Sequence, residues 1–126
     1  MPRKPKRRYH ARYYDPGRVA LRNYYKEHPE VLAAINRKSG LRWRYGITPE
    51  QYDELFAKQR GLCASCHRPE CIKRQGRVMR LAVDHGHTTR TVRGLLCCKC
   101  NRALGLLEED ILRIRALADY MEHHHA

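Results

Sequence analysis

Residues 82–101 read AVDHGHTTRTVRGLLCCKCN, and they decide the fold because they place strand-like runs beside one half of a metal site. The stretch ends on a C-x2-C pair, and a second pair of the same form lies upstream. Two such pairs can supply four thiolates to one tetrahedral Zn²⁺ ion. The pattern therefore predicts a structural zinc site whose ligands are Cys63, Cys66, Cys97 and Cys100.

Two of the 6 cysteines remain outside this set. Cys98 falls between two ligands and cannot easily share their ion, whereas Cys71 or His67 could in principle replace one ligand. We interpret Cys71 and Cys98 as free thiols. An ion held by four thiolates has no open coordination position, so any chemistry must come from residues between the two pairs.

A β-hairpin is predicted between the cysteine pairs. The runs VMRLAV at 78–83 and TVRGLL at 91–96 have strand character, and residues 86–90 supply turn material between them. After Cys97 the pattern becomes helical through about Leu107. The zinc is therefore expected to staple a hairpin to the helix that follows it.

Polar residues cluster around this hairpin. Asp84 and His85 follow the first strand, and Asn101 follows the last zinc cysteine directly. Neighbouring strand residues point to opposite faces, but a chain can bend at a strand end, so both side chains could reach one site. Carboxylate and amide oxygens suit Mg²⁺, and a neutral imidazole can take a proton from water near pH 7. The cluster favours phosphodiester hydrolysis, although polar residues that only cap a zinc-bound turn remain the alternative.

The composition indicates a polyanionic partner. Lys and Arg number 26 against 13 Asp and Glu, which gives a formal net charge of +13. Nucleic acid is the commonest such partner, and a solvated charged surface without a partner is the alternative. The chain has no apolar run near ~18 residues and no apolar segment behind its basic amino terminus, MPRKPKRR. We therefore expect a cytoplasmic protein without membrane contact, whose cysteines stay reduced.

Three segments are predicted along the 126 residues: a basic flexible arm at 1–17, a helical region at 18–46 and a zinc-stapled domain at 47–126. The first helix should span about 18–38, with an interruption at Pro29 and a stop at Ser39-Gly40. Thr48 should cap a second helix, and the last helix should span about 108–120. Arg42, Trp43 and Arg44 could meet DNA, but for Trp43 a place in the core is the preferred expectation.

The order and spacing of these motifs resemble the recombination endonuclease VII family, a phage-associated branch of the HNH or His-Me finger nucleases. The resemblance covers roughly 47–107 and rests on C-x2-C at 63–66, VDHGH at 83–87, VRGLLC-x2-C at 92–100 and Asn101. It implies an α+β fold: a small ββα-metal (His-Me finger) core with a four-cysteine structural zinc, flanked by N-terminal and C-terminal helices. The generic HNH pattern has an asparagine near position 92, where this chain has Val92.

The resemblance also implies roles for individual residues. His85 would be the general base of a DNA endonuclease, and Asp84 and Asn101 would bind a catalytic Mg²⁺ or Mn²⁺. His87 would contact the scissile phosphate or orient the site. The products would carry a 5′-phosphate and a 3′-hydroxyl.

Basic residues near the hairpin are candidate DNA contacts. Arg93, Arg90 and Arg80 are the named candidates, and Lys73, Arg74 and Arg77 extend the rim. The protein could act as a monomer or a homodimer, alone or with phage terminase and packaging proteins. The alternative to a nuclease is a non-catalytic zinc module that only binds nucleic acid.

Overall fold

The computed structural model describes residues 15–125, and in this range it contains five α-helices and four short β-strands. The helices are Pro16–Glu27 (α1), Pro29–Tyr45 (α2), Pro49–Lys58 (α3), Cys98–Leu106 (α4) and Ile111–His124 (α5). The strands are Lys73–Arg74 (β1), Arg77–Val78 (β2), Ala82–His85 (β3) and Val92–Leu96 (β4). The chain divides into two compact units, Met1–Arg37 and Lys38–Ala126.

Helix α1 begins at Pro16, inside the segment predicted as a flexible arm and two residues before the predicted start of the first helix. The Asp15 side chain accepts hydrogen bonds from the backbone N–H groups of Gly17 at 3.0 Å and Arg18 at 3.4 Å. Pro16 occupies the first helical turn, where its missing N–H costs nothing. The rest of the predicted arm, 1–14, lies outside the described residues.

Helix α2 confirms one expected boundary and contradicts another. Pro29 separates it from α1, as predicted, but the helix continues through Ser39-Gly40 to Tyr45. Glycine inside a helix costs about 1 kcal/mol relative to alanine. Leu41 and Tyr45, which follow Gly40, pack against the core, and this burial outweighs the local cost.

Helix α3 has the predicted capping box. The backbone N–H of Gln51 donates to the Thr48 hydroxyl at 3.2 Å, and the Gln51 side chain accepts from the Thr48 N–H at 2.9 Å. The helix buries Tyr52, whose hydroxyl donates to the carbonyl of Leu81 at 2.7 Å. This bond ties α3 to the segment that leads into β3.

Strands β3 and β4 pair antiparallel, with Ala82 opposite Leu96 and Asp84 opposite Gly94. The predicted second strand agrees with β4, but the predicted run 78–83 is divided. Val78 pairs instead with Lys73 in a separate β1–β2 hairpin, and β3 begins only at Ala82. An alternation of apolar and polar residues cannot show that one predicted strand is divided between two hairpins.

A tight turn at 86–90 joins β3 to β4, as predicted. The Gly86 N–H donates to the Thr91 carbonyl at 2.9 Å, and the Arg90 N–H donates to the Gly86 carbonyl at 2.8 Å. A Cβ atom at Gly86 would lie 2.6 Å from the Thr89 hydroxyl oxygen. Only glycine fits there without movement of Thr89.

The core of the second unit is small. Its buried hydrophobic members are Tyr52, Cys63, Leu81, Val83, Leu95, Leu96 and Cys97. The amide side chain of Gln59 donates to the Leu95 carbonyl at 2.8 Å and accepts from the Leu95 N–H at 2.9 Å. Since Leu95 is fully buried, Gln59 satisfies backbone groups that water cannot reach.

The expectation that Trp43 lies in the core is wrong. Its side chain is 90 % exposed, which makes it the most exposed large hydrophobic residue among those the structure describes. Its helix packs through Leu41 and Tyr45 instead. The residue type favoured burial, because tryptophan side chains are highly buried on average.

The last two helices agree with the predicted pattern to within a few residues. Asp110 caps α5 by accepting from the N–H groups of Leu112 at 2.9 Å and Arg113 at 3.1 Å, so this helix begins later than the predicted residue 108. None of the helices in 15–125 has the length and apolar character needed to cross a bilayer.

Candidate zinc site and active site

The four cysteines predicted as ligands come together in space. The Sγ atoms of Cys63, Cys66, Cys97 and Cys100 all lie within 4.8 Å of one another. The Sγ atoms of Cys66 and Cys97 are 3.8 Å apart. Zn–S bonds of about 2.3 Å directed to the corners of a tetrahedron require a sulfur separation of about 3.8 Å. The cluster therefore has the donor set and the spacing that fit a structural zinc ion.

Backbone groups around Cys63 favour a thiolate. Burial opposes its ionisation, yet the N–H groups of Cys66, Cys97 and Ser65 outweigh this and lower the pKa of the Cys63 thiol to about 6. Burial and the neighbouring sulfurs raise the pKa of the Cys100 thiol to about 12. One thiolate is thus favoured by the fold itself, whereas crowded sulfurs resist further ionisation until a cation compensates them.

Cys71, Cys98 and His67 are not members of the cluster among the described residues. Cys71 is exposed and Cys98 is half-buried, and both are free thiols. The backbone around them binds Glu70, whose carboxylate accepts from the N–H groups of Cys71 at 2.9 Å, Ile72 at 2.9 Å and Cys98 at 2.6 Å. Glu70 therefore serves the first turn of α4, whose N-cap residue, Cys97, forms no side-chain cap.

Replacing Glu70 with glutamine should lower the free energy of unfolding by roughly 1–3 kcal/mol at neutral pH. Burial raises the pKa of Glu70, but the three N–H donors outweigh it and hold that pKa below its usual value of 4.5. The carboxylate thus stabilises the fold above about pH 4.5, and this contribution is lost as the pH falls through the lowered pKa. Thermal unfolding at pH 7 measures the effect. Glu54→Gln, on the exposed side of α3, should leave the midpoint unchanged, and an equal loss in both variants would contradict the capping role.

An irregularity in β3 brings Asp84 and His85 to one site. The register of the strand pair shifts between these two residues, which is a β-bulge or similar break. A bulge turns a side chain that would otherwise face away. Both residues line one cavity of about 220 Å³, together with Asn101. The sequence predicted that the two residues follow the strand, whereas the structure includes both in β3 and has the irregularity between them.

Asn101 reaches the same cavity through the zinc cluster. Its backbone N–H donates to the carbonyl of Cys97 at 3.0 Å, which is a first hydrogen bond of α4. Cys97 and Cys100 bracket this turn as metal ligands. An ion held by the cluster would thus fix the position from which the Asn101 side chain extends.

Two aromatic neighbours hold the imidazole of His85. The ring of Tyr45 meets it edge-on, with centroids 5.3 Å apart and an interplanar angle of 63°. The ring of His87 stacks on it at 5.5 Å and 5°. Tyr45 is the last residue of α2, so the end of this helix forms one wall of the cavity.

Arg93 joins two carboxylates beside the cavity. It donates to Asp84 from Nε at 2.8 Å and from Nη2 at 2.9 Å. It also donates to Glu109 from Nη2 at 3.1 Å and from Nη1 at 3.3 Å. Hydrogen bonds from Asp84 and Glu109 raise the pKa of this guanidinium further above its ordinary value. These bonds use four of the five N–H donors of an arginine.

Glu109 is a residue that sequence reasoning missed. Its carboxylate lies 3.2 Å from the Nε2 atom of His87, in addition to its bonds with Arg93, and it lines the cavity. Glu108 and Glu109 both have positive φ, at 54° and 55°, a conformation that costs about 1–2 kcal/mol for a side chain other than glycine. A Glu-Glu pair gives no sequence signal for this backbone, so the position of Glu109 could not be read from the pattern.

A family model described as recombination endonuclease VII matches residues 38–123, which is more than half of the chain. The chain belongs to the recombination endonuclease VII family. Both cysteine pairs and all the residues that line the cavity fall within the matched range.

Curated relatives of this endonuclease VII family chain come from bacteriophages. Gene 59 protein of Mycobacterium phage D29 is 33% identical over 99 residues, covering 78% of this chain and 57% of that protein. Gene 59 protein of Mycobacterium phage L5 is 38% identical over 78 residues, covering 61% of this chain and 44% of that protein. The chain spans about half the length of the curated relatives that it matches. No solved structure matches it significantly.

The other predicted DNA contacts lie away from the cavity lining. Arg80 precedes β3 and Arg90 lies in the turn between β3 and β4, where its φ is 54°. Both are exposed, as are Lys73, Arg74 and Arg77 of the small hairpin. Their role as DNA contacts of this family member remains a prediction.

Proposed function

We propose that this protein is a phage-encoded, metal-dependent DNA endonuclease of the HNH (His-Me finger) type that nicks or cuts duplex or branched DNA in the host cytoplasm. The convergence of Asp84, His85 and Asn101 on one cavity carries the proposal. Membership of the recombination endonuclease VII family and a net charge of +13 support it. We propose that the hairpin β3–β4 and the helix α4 form the ββα-metal core of such a nuclease.

His85 is proposed as the general base. An imidazole can accept a proton from an attacking water near neutral pH, and such catalysis contributes typically about 10²–10⁴-fold to a rate. Tyr45 and His87 hold the ring from two sides. Fixed orientation matters because the base must meet the water in line with the scissile phosphate.

Asp84 and Asn101 are proposed to hold a Mg²⁺ or Mn²⁺ ion. Their oxygens, together with those of Glu109, give the cavity the hard donors that such ions prefer. A carboxylate offers about four lone-pair sites, so the Asp84 carboxylate can bind Arg93 and still accept a cation. When bound, the ion would stabilise charge on the phosphate and on the leaving 3′ oxygen, which gives a 5′-phosphate and a 3′-hydroxyl.

Arg93 and Glu109 are proposed as positioning residues. Arg93 fixes both oxygens of Asp84, which is only 14% exposed, and Glu109 orients both Arg93 and His87. Since most N–H groups of Arg93 donate to carboxylates, its main role would be to order the site rather than to bind DNA.

Nicking of supercoiled plasmid tests the function. Purified protein should convert it to the open-circular form with Mg²⁺ or Mn²⁺ and not when divalent cations are omitted. Tight plasmid binding without nicking under any divalent cation would favour the alternative, a non-catalytic nucleic-acid-binding zinc module. The mass in solution would show whether the protein acts as a monomer or a homodimer, and co-purification would reveal phage packaging partners.

Glu109→Gln should slow nicking roughly ten- to hundredfold, because charge-assisted hydrogen bonds contribute about 1.5–3 kcal/mol and tenfold in rate corresponds to about 1.4 kcal/mol. Glu108→Gln is the matched control. Glu108 has the same unusual backbone conformation, but its carboxylate is 72% exposed and binds Arg113 on the surface. Initial nicking rates of the two variants should therefore differ. Equal rates would show that Glu109 has no positioning role in the site.

A further inference from the structure

Trp43 is an isolated indole on the surface of the second unit. It is the single tryptophan of the chain, and its side chain is 90% exposed. Large aromatic side chains bury much apolar area when they fold inward, so an exposed one gives up that stabilisation. Tryptophan is enriched at interfaces because it combines a large apolar ring system with a polar N–H, which makes Trp43 a candidate contact for another molecule.

The faces of α2 explain why the indole points outward. Arg37, Leu41 and Tyr45 are half-buried and lie four residues apart, which makes them one stripe of the helix. Two residues along an α-helix correspond to a rotation of about 200°. Trp43 therefore lies on the side of the helix opposite Leu41 and Tyr45, and its exposure follows from the packing of the whole last turn.

The stretch of chain that carries Trp43 is positively charged. No aspartate or glutamate occurs between Glu30 and Glu50. Lys38, Arg42 and Arg44 are exposed in this stretch. The two arginines lie in the last turn of α2, where the helix dipole favours cations, but this explains the charges and not the indole.

We propose that Trp43, Arg42 and Arg44 form a binding site for an unpaired nucleobase and its flanking phosphates. Every base has a π face on which an indole can stack, and the guanidinium groups supply the charge that attracts phosphates. In an intact duplex these faces are covered by neighbouring bases, so the site selects strands with unstacked bases. A second copy of this chain fits the site less well, because its own net charge is +13.

This inference rests on the proposed function and deepens it, because it assigns contact with unpaired bases to the end of α2 in the same DNA-cutting protein. Tyr45 forms a wall of the catalytic cavity, and Trp43 lies two residues before it on the opposite side of the helix. The two side chains are thus separated by about one helix diameter, roughly 10 Å. A strand held at the cavity would pass the end of α2 to reach the indole.

Tryptophan fluorescence tests the site without any cleavage step. Because Trp43 is the single tryptophan, emission excited where tyrosine does not absorb reports on this position alone. The full chain is titrated, without added divalent cations, with a duplex that contains a short unpaired loop and with a perfect duplex of equal length. Strong quenching by the looped duplex and little by the perfect duplex is expected. Equal quenching by both would overturn the proposal, as would emission that shifts with protein concentration alone, which would indicate a second copy on the indole.

Affinity for labelled oligonucleotides provides the second measurement. Trp43→Ala should weaken binding to the looped duplex roughly tenfold, and Trp43→Phe should lose less because it keeps a ring. Tyr120→Ala removes another exposed aromatic side chain, on α5, and should bind as the unchanged protein does. An unchanged affinity of Trp43→Ala would refute the site.

The two proposals can fail separately. Selective quenching without any plasmid nicking would support the base-binding site and contradict the nuclease proposal. Plasmid nicking with equal quenching by both duplexes would support the nuclease proposal and contradict the base-binding site.

Discussion

His85→Ala is expected to reduce plasmid nicking by about 10²–10⁴-fold, because it removes the group that would take the proton from the attacking water. The substitution leaves the zinc cluster and the buried core untouched, since His85 is not a member of either. Zinc content and the thermal unfolding midpoint should therefore stay close to those of the unchanged protein. Initial rates of open-circle formation in Mg²⁺ and in Mn²⁺ measure the effect.

His124→Ala is the control for this experiment. His124 is the last residue of α5 and contacts the ring of Tyr120 rather than the cavity. The nicking rate of His124→Ala should equal that of the unchanged protein. Added imidazole should restore part of the rate of His85→Ala, because the substitution enlarges a cavity of about 220 Å³. Nicking by His85→Ala at the rate of the unchanged protein would show that another group serves as the base.

Cys63→Ser is expected to unfold the second unit. The core there has 7 buried hydrophobic members, and Cys63 and Cys97 are two of them. Binding of structural zinc contributes about 10–16 kcal/mol in small zinc domains, which is comparable with the whole stability of about 5–15 kcal/mol of a typical domain. Loss of one of four ligands should therefore remove both the ion and the fold.

Cys71→Ser is the matched substitution. Cys71 is exposed and lies outside the sulfur cluster, so its replacement should leave zinc content and the unfolding midpoint unchanged. Elemental analysis should give about one zinc per unchanged chain, and a strong chelator should unfold it. A Cys63→Ser protein that stays folded, or a folded zinc-free preparation of the unchanged chain, would contradict a structural role for the metal.

The features that sequence predicted best are local. The capping box of α3 needs only Thr48 and Gln51, three residues apart, and each C-x2-C pair needs only its own turn. Asp84 and His85 were expected to line one site after a strand end; both line one cavity, but they belong to β3 and the register shifts between them. In each case neighbours in the chain carry the necessary information.

The features that sequence did not predict depend on residues that are distant in the chain. Glu70 serves the N–H of Cys98, and Gln59 serves the backbone of Leu95. Neither partner can be identified from spacing, because any carboxylate or amide could satisfy a buried N–H. Glu109 depends on a backbone conformation that its side chain disfavours. Trp43 was misplaced because its neighbours Leu41 and Tyr45 take the inward positions of α2.

Cys97 concentrates several tasks in one residue. Its sulfur belongs to the metal cluster, its backbone begins α4, and its carbonyl receives the N–H of Asn101. A molecule that loses its ion would therefore lose its proposed chemistry in the same event, because the turn from which Asn101 extends carries two of the four sulfur ligands. For a proposed nuclease, loss of the ion would therefore end folding and cleavage together, and no folded, zinc-free form that cuts DNA would remain.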